Sequence, residues 1–196
     1  MNRMKGHQIG FTLIESIVGI VILGFALSVL VSGVFTSSTK SHQATYQAQA
    51  AALGHSIMTD ILSRQFDEHS DPNGGQYRCG EAEAPDGCSS PNELGRDTMA
   101  EKNTTSHSAI FNDVDDFIGC WGDSDTCVVA NLSYDLNQLI DQESAAEYKN
   151  FTVEINVAYA DVDNKSTAIT QYKKIDITLY ASSHAKYPFS AYRGNY

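Results

Sequence analysis

Positive charge is the scarcest feature of this chain. Thirteen Lys and Arg stand against 24 Asp and Glu, a formal net charge of −11 over 196 residues. Such a surface repels a phosphate backbone, so nucleic-acid binding, which wants a basic face, is not expected. Cysteine is limited to Cys79, Cys88, Cys120 and Cys127, with no CxxC spacing, so a zinc ribbon or finger is excluded. No GxSxG, HExxH or P-loop is present, and the six histidines are scattered at 7, 42, 55, 69, 107 and 184. Neither a catalytic constellation nor a cofactor is therefore expected. The length suits one globular domain plus an anchor.

What the chain does have is a long apolar run. From Ser16 to Phe35 every residue is apolar, Gly or Ser, and before it stands a single carboxylate, Glu15. As a helix, the 25 residues from Phe11 to Phe35 rise roughly 37 Å, enough to cross a hydrocarbon core of about 30 Å. Arg3 and Lys5 precede the run without any acid, and Lys40 is the first cation after it. The positive-inside rule puts the N-terminus in the cytoplasm and the remainder outside. Gly19, Gly24 and Gly33, with Ser28 and Ser32, are compatible with two roles: close helix approach in a membrane, or a softened helix.

A carboxylate at the edge of a membrane span is costly and usually marks function. The plain reading is a signal anchor with an acid near its cytoplasmic edge. The combination of a short basic leader, Gly10, Phe11, and Glu15 at the fifth position after Gly10 instead resembles the class III signal of type IV pilins and pseudopilins. The resemblance implies cutting between Gly10 and Phe11 by a prepilin peptidase and N-methylation of Phe11. It also implies pairing of Glu15 with a neighbouring subunit's amine during assembly. The cut precedes the apolar segment, unlike that of a secretory signal, so the anchor is retained. Loss of the leader leaves 11 cations against 24 acids, or −13.

Beyond the run, Tyr46, Ala50, Leu53, Ile57 and Ile61 recur at helical spacing, with Met58 and Leu62 flanking them. This predicts an amphipathic helix ending near Phe66, stopped by the polar Gly-rich run at 67–75. Residues 67–107 read as a long polar loop. The cysteines allow three pairings, and their spacing favours two local loops, Cys79–Cys88 and Cys120–Cys127, in an oxidising compartment. Residues 108–120 fit neither a clean helix nor a clean strand. Residues 151–159 alternate apolar and polar, as do 172–180, with Ile175, Ile177 and Leu179 inward. These read as an antiparallel hairpin for the amphipathic helix to cover. The tail from Tyr187 to Tyr196 carries four aromatic rings, suited to packing back on the domain or to forming a binding face.

The acid clusters at 113–116, 123–125 and 161–163 read as solvated acidic turns. A calcium site would need several converging oxygens, and none of the clusters completes an EF-hand loop, so no metal site is assigned.

The whole layout resembles a type IV pilin. The blocks Phe111–Phe117, Tyr148–Ile155, Lys173–Leu179 and Phe189–Asn195 are similar to minor pilins of the mannose-sensitive haemagglutinin pilus system. The resemblance implies an α+β fold, with a long N-terminal helix packed on a C-terminal antiparallel sheet. It divides the chain into a leader (1–10), a membrane or filament-core helix (11–35), an amphipathic helix (36–66) and a head (67–196). It implies prepilin peptidase, major and minor pilin subunits and the inner membrane as partners. Location would be a single-pass inner-membrane protein with a periplasmic head, then a surface pilus. A type II secretion pseudopilin and a tip-exposed adhesin are the alternatives.

Overall fold

Twenty-one consecutive residues without an ionised group beyond Glu15, Leu13–Gly33, followed by a stripe of 3.6-residue period, give one α-helix, α1 (Leu13–Ser63). The computed structural model describes residues 12–71, 77–84, 86–102, 108–127, 132–161, 168–182 and 185–196. The chain forms two compact units, residues 1–45 and 46–196.

In the second unit, Ala50, Leu53, Ile57 and Ile61 of α1 are buried, and Tyr46, Met58 and Leu62 pack at the margin of the same core. The opposite wall is a five-stranded sheet in the order β2-β1-β3-β4-β5, with strands Gly119–Trp121, Ser133–Tyr134, Phe151–Tyr159, Tyr172–Ala181 and Ala185–Gly194 as β1 to β5. All its pairings are antiparallel except β1 with β2. The expected hairpin is β3–β4, paired from Phe151–Ala181 to Tyr159–Lys173. Ile175, Ile177 and Leu179 are fully buried, as period-two alternation demands of a sheet with one covered face. The α+β architecture is thus the one expected, a long apolar helix followed by a mainly antiparallel sheet.

Three regions went beyond the sequence reading. The aromatic tail is strand β5, with Tyr187 and Phe189 against the core and Tyr192 facing out. Gly54 of α1 makes room for it: a Cβ there would stand 2.7 Å from the Phe189 ring. Residues 108–121 hold two short 3₁₀ turns, Ser108–Ile110 and Asp115–Phe117, and then β1. Such short elements leave no periodic trace. In the polar stretch after α1, a helix of one turn, α2 (Met99–Lys102), is fixed by a capping box. Thr98 Oγ1 accepts from Glu101 N–H and Glu101 Oε2 accepts from Thr98 N–H, at 3.2 and 2.7 Å. A third helix, α3 (Gln142–Glu147), is capped by Asp141.

Candidate functional site

The processing residues Gly10 and Phe11 lie outside the described residues. Glu15 sits in the first turn of α1, where its N–H donates to Thr12 O at 3.1 Å. An acid there complements the positive end of the helix dipole. The described side chains from Thr12 to Gly33 are all exposed, Leu13 at 81% and Phe25 at 72%. An apolar surface of this length is not left in water by a stable soluble protein; a bilayer or other helices must cover it. A Cβ added at Gly19, Gly24 or Gly33 would meet nothing within 4 Å. Nothing among the described residues requires those glycines. Ser28 and Ser32 turn their hydroxyls back onto the helix, to Phe25 O and Ser28 O, and so expose no unsatisfied donor.

The second concentration of chemistry is inside the head. Acids 113–116 are not the solvated turn expected from their charge: Asp113, Asp115 and Asp116 are all buried, with Asp67 and Glu101. The chain first absorbs them locally. Asp113 Oδ1 accepts from the N–H groups of Asp115 and Asp116, capping the 3₁₀ turn. Asp116 Oδ2 accepts from Asn112 and Asp113 N–H. The end of α1 then pairs with this segment: Gln65 N–H donates to Asn112 O and Val114 N–H to Gln65 O, at 3.0 and 3.1 Å. That pairing brings Asp67 to the acid turn.

Asp67 receives a full set of donors. Ser89 gives its N–H and hydroxyl and His69 its N–H, at 3.1 to 3.2 Å; the Tyr159 O–H, 3.2 Å away, is shared with Ser89 O at 2.7 Å. Ser89 directly follows Cys88, which is disulfide-bonded to Cys79, and Asn195 Nδ2 donates to Cys79 O at 3.1 Å. The first disulfide therefore pins the loop that solvates Asp67. The second, Cys120–Cys127, closes the turn after β1.

One cation answers these acids. Lys173 is fully buried, with Nζ 3.0 Å from Asp67 Oδ2 and 2.5 Å from Asp115 Oδ1. The rings of Phe66 and Tyr159 flank it at 4.8 and 5.3 Å. Sequence reasoning missed Lys173, yet the signal was there: it is in phase with Ile175, Ile177 and Leu179, so alternation points its ammonium to the covered face. Burial alone would raise the Asp67 carboxyl. The charge and hydrogen bond of Lys173, with the backbone donors, outweigh this and hold it below the ordinary value. Burial likewise opposes the Lys173 ammonium, and Asp115, Asp67 and Asp113 outweigh it and raise its pKa.

A second cation serves the other side of the cluster. The Arg96 guanidinium lies 3.7 Å from the Tyr134 ring centroid, 4.7 Å from Phe111 and 4.9 Å from Trp121. Its Nε and Nη2 have no hydrogen-bond partner among the described residues; the rings stand where acceptors would. Asp97, Glu101 and Asp116 bring carboxylate oxygens within 4.8 Å of one another, but Glu101 Oε2 and Asp116 Oδ2 are already engaged by backbone donors.

Crowding has a measurable consequence. Burial, with Asp115 and Asp116 nearby, pushes Asp113 up to about 9; burial, with Glu101 and Asp115, pushes Asp116 up to about 7. Unfolded, both release protons near the ordinary value, 3.8. Between these limits the folded state binds more protons, so stability falls as pH rises from about 4 through 7 and on to 9. Below about 4 the effect of Asp67 reverses the slope, because its lowered pKa stabilises only when it is ionised. Denaturant midpoints of the head should therefore be highest near pH 4–5 and drop toward pH 8. Asp116→Asn should make the pH 4–7 limb shallower, by at most about 4 kcal/mol, and leave the part that Asp113 contributes. A limb as steep in the variant as in the wild type would refute the assignment.

Residues 5–31 match the family model described as the prokaryotic N-terminal methylation motif. No curated protein and no solved structure gives a significant match.

Proposed function

We propose that this chain is a pilin-like subunit, cut between Gly10 and Phe11 by a prepilin peptidase, N-methylated at Phe11 and assembled with other pilins through α1. It is not an enzyme. The observation that carries this reading is a coincidence on one segment. The methylation motif at residues 5–31 overlies the Leu13–Gly33 segment of α1, whose apolar side chains are uncovered and whose one charged residue is Glu15. The helix is long enough to anchor in the inner membrane before assembly, about 31 Å for Leu13–Gly33. Within a filament the same surface packs against other copies of the helix. Glu15 would answer the N-terminal amine of a neighbour, a pairing favoured in an apolar surround only if both charges are matched.

The finer reading is a minor pilin of the mannose-sensitive haemagglutinin kind, resembling MshD, that primes or joins the filament. Its support is the similarity of the blocks named above, three of which form the acid turn, β3 and the sheet-core strand β4.

Intact mass and N-terminal peptide mapping of protein from native membranes tests processing directly. The expected product begins at methylated Phe11; a chain still beginning at Met1 would reduce the segment to a plain anchor. Glu15→Ala should abolish or sharply reduce incorporation into filaments while leaving the denaturant midpoint of the head unchanged, since Glu15 belongs to the first compact unit and the head core to the second. Normal incorporation would sink the assembly role. Filaments that form without this subunit but fail to adhere would favour the adhesin alternative, and a secretion defect the pseudopilin one.

A further inference from the structure

The arrangement around Lys173 is more than an ion pair. An amine, a reacting carboxyl and a second carboxylate meet in a site closed to water: Lys173 and Asp67 are 0% exposed and Asp115 1%. Nζ is 2.5 Å from Asp115 Oδ1, and a carbonyl bond is about 1.2 Å, so Nζ is no more than about 3.7 Å from Asp115 Cγ. Near-attack geometry is about 3–3.5 Å. The two residues are far apart in sequence, on β4 and on the 3₁₀ turn Asp115–Phe117. The backbone elements carrying them are fixed from three sides: by the β3–β4 ladder, by the pairing of Gln65 with Asp113, and by the capping of the turn by Asp113.

We propose that Lys173 and Asp115 condense spontaneously into an intramolecular isopeptide bond, Nζ to Cγ, with Asp67 as the proton carrier.

The chemistry balances without a co-reactant. The step begins with transfer of one proton from Nζ to Asp115 Oδ1 along the hydrogen bond that joins them; the surrounding acids favour the ammonium, so the free amine is a minor form and the condensation is slow. The free amine attacks Cγ and an N–C bond forms. Charge collects on Oδ2, which already accepts the Gly95 N–H at 3.0 Å, a donor aimed as in an oxyanion hole. Gly95 adopts φ +120, a conformation that favours glycine, in presenting that N–H. Asp67 Oδ2, 3.0 Å from Nζ, takes the second amine proton and returns it to the Oδ1 hydroxyl. The Cγ–Oδ1 bond breaks and water leaves. Asp67 ends as it began, Lys173 becomes an amide N–H, and nothing is oxidised or reduced. The Ser89 and His69 donors on Asp67 keep it ionised, so it has a lone pair for the proton. The rings of Phe66 and Tyr159 bound the amine and hold bulk water off. The product removes one ammonium and one carboxylate from the interior. It also ties the sheet covalently to the acid turn, as the Cys79–Cys88 disulfide ties the neighbouring loop.

The bond is independent of what the N-terminal helix does, and its test needs no variant to fold. Full-length chain purified from membranes is denatured, reduced and weighed. The expected mass is lighter by one water than the processed sequence, with a branched tryptic peptide joining the fragment that carries Asp115 to the one that carries Lys173. Reduction separates this loss from the hydrogens of the disulfides. Unmodified mass, with Lys173 recovered in a linear peptide, overturns the proposal. Lys173→Arg, which keeps the charge and cannot condense, should return the full sequence mass. A water still missing in that variant would place the loss elsewhere and overturn it as well. Asp67→Asn should leave a large fraction of molecules uncrosslinked; complete crosslinking there would refute the proton-carrier role.

Discussion

Lys173→Met is expected to destabilise the head by about 3–5 kcal/mol, the usual cost of removing one partner from a buried ion cluster. Methionine matches the length and much of the volume of the lysine stem, so packing against Phe66 and Tyr159 is largely kept. What is lost is the Lys173 nitrogen, which neutralises Asp115 as its counter-ion before condensation and as its amide afterwards. Asp67 and Asp115 remain fully buried, and Arg96 is held in the aromatic cage. Two uncompensated carboxylates would then share one dry site with Asp113 and Asp116. Denaturant unfolding followed by the fluorescence of Trp121, the one tryptophan of the chain, measures the change. The penalty should shrink on acidification below the ordinary carboxylate range, because protonation neutralises the stranded acids. Adding Asp67→Asn and Asp115→Asn to Lys173→Met should recover much of the loss, since a neutral site needs no counter-charge. A Lys173→Met cost below about 1 kcal/mol, unaltered by pH, would mean that the ammonium is not what balances the cluster.

Trp121→Ala is expected to be as damaging, about 3–5 kcal/mol, through a cavity rather than a charge. The indole is fully buried on β1, in ring contact with Tyr134 at 4.8 Å and Phe111 at 6.0 Å. Its Nε1–H donates to Phe117 O at 3.1 Å, closing the 3₁₀ turn that carries Asp115 and Asp116. Alanine would leave that carbonyl without its donor, open one side of the Arg96 cage and thin the core beneath a three-residue strand that cannot readily collapse to fill it. Trp121→Phe should cost about 1–2 kcal/mol, keeping most of the apolar contact and losing the hydrogen bond. Circular dichroism is the suitable probe, because both variants lack the fluorophore. Equal costs for Ala and Phe would assign the loss to the hydrogen bond and not to the cavity.

These two sites show where charge and chain order mislead. Asp113, Asp115 and Asp116 looked like a solvated turn because four residues with three acids are hydrophilic in isolation. They are buried because the oxygens of Asp113 and Asp116 are spent on backbone N–H groups of the same segment, and because the Gly95 N–H and a lysine 58 residues away hold Asp115. Local sequence carries the first fact weakly, as an Asp at the start of a turn, and the second not at all. Arg96 is similar: its neighbours Asp97 and Thr98 suggest a polar loop, and only the fold sets Phe111, Trp121 and Tyr134 around it.

What the amino-acid sequence determined by itself is whatever depends on short-range periodicity or on an unbroken run. The apolar segment and its lone Glu15, the stripe from Tyr46 to Ile61, and the alternation in β3 and β4 all declare themselves, because one side chain in two or in 3.6 must face the core wherever that core is. The tertiary structure alone decided which elements meet. It made the aromatic tail an edge strand, placed three-residue β1 between β2 and β3, and carried Lys173 to Asp67 and Asp115. Those outcomes rest on contacts across tens of residues of chain, whose energy comes from shared burial and charge neutralisation, and no local pattern encodes the partner.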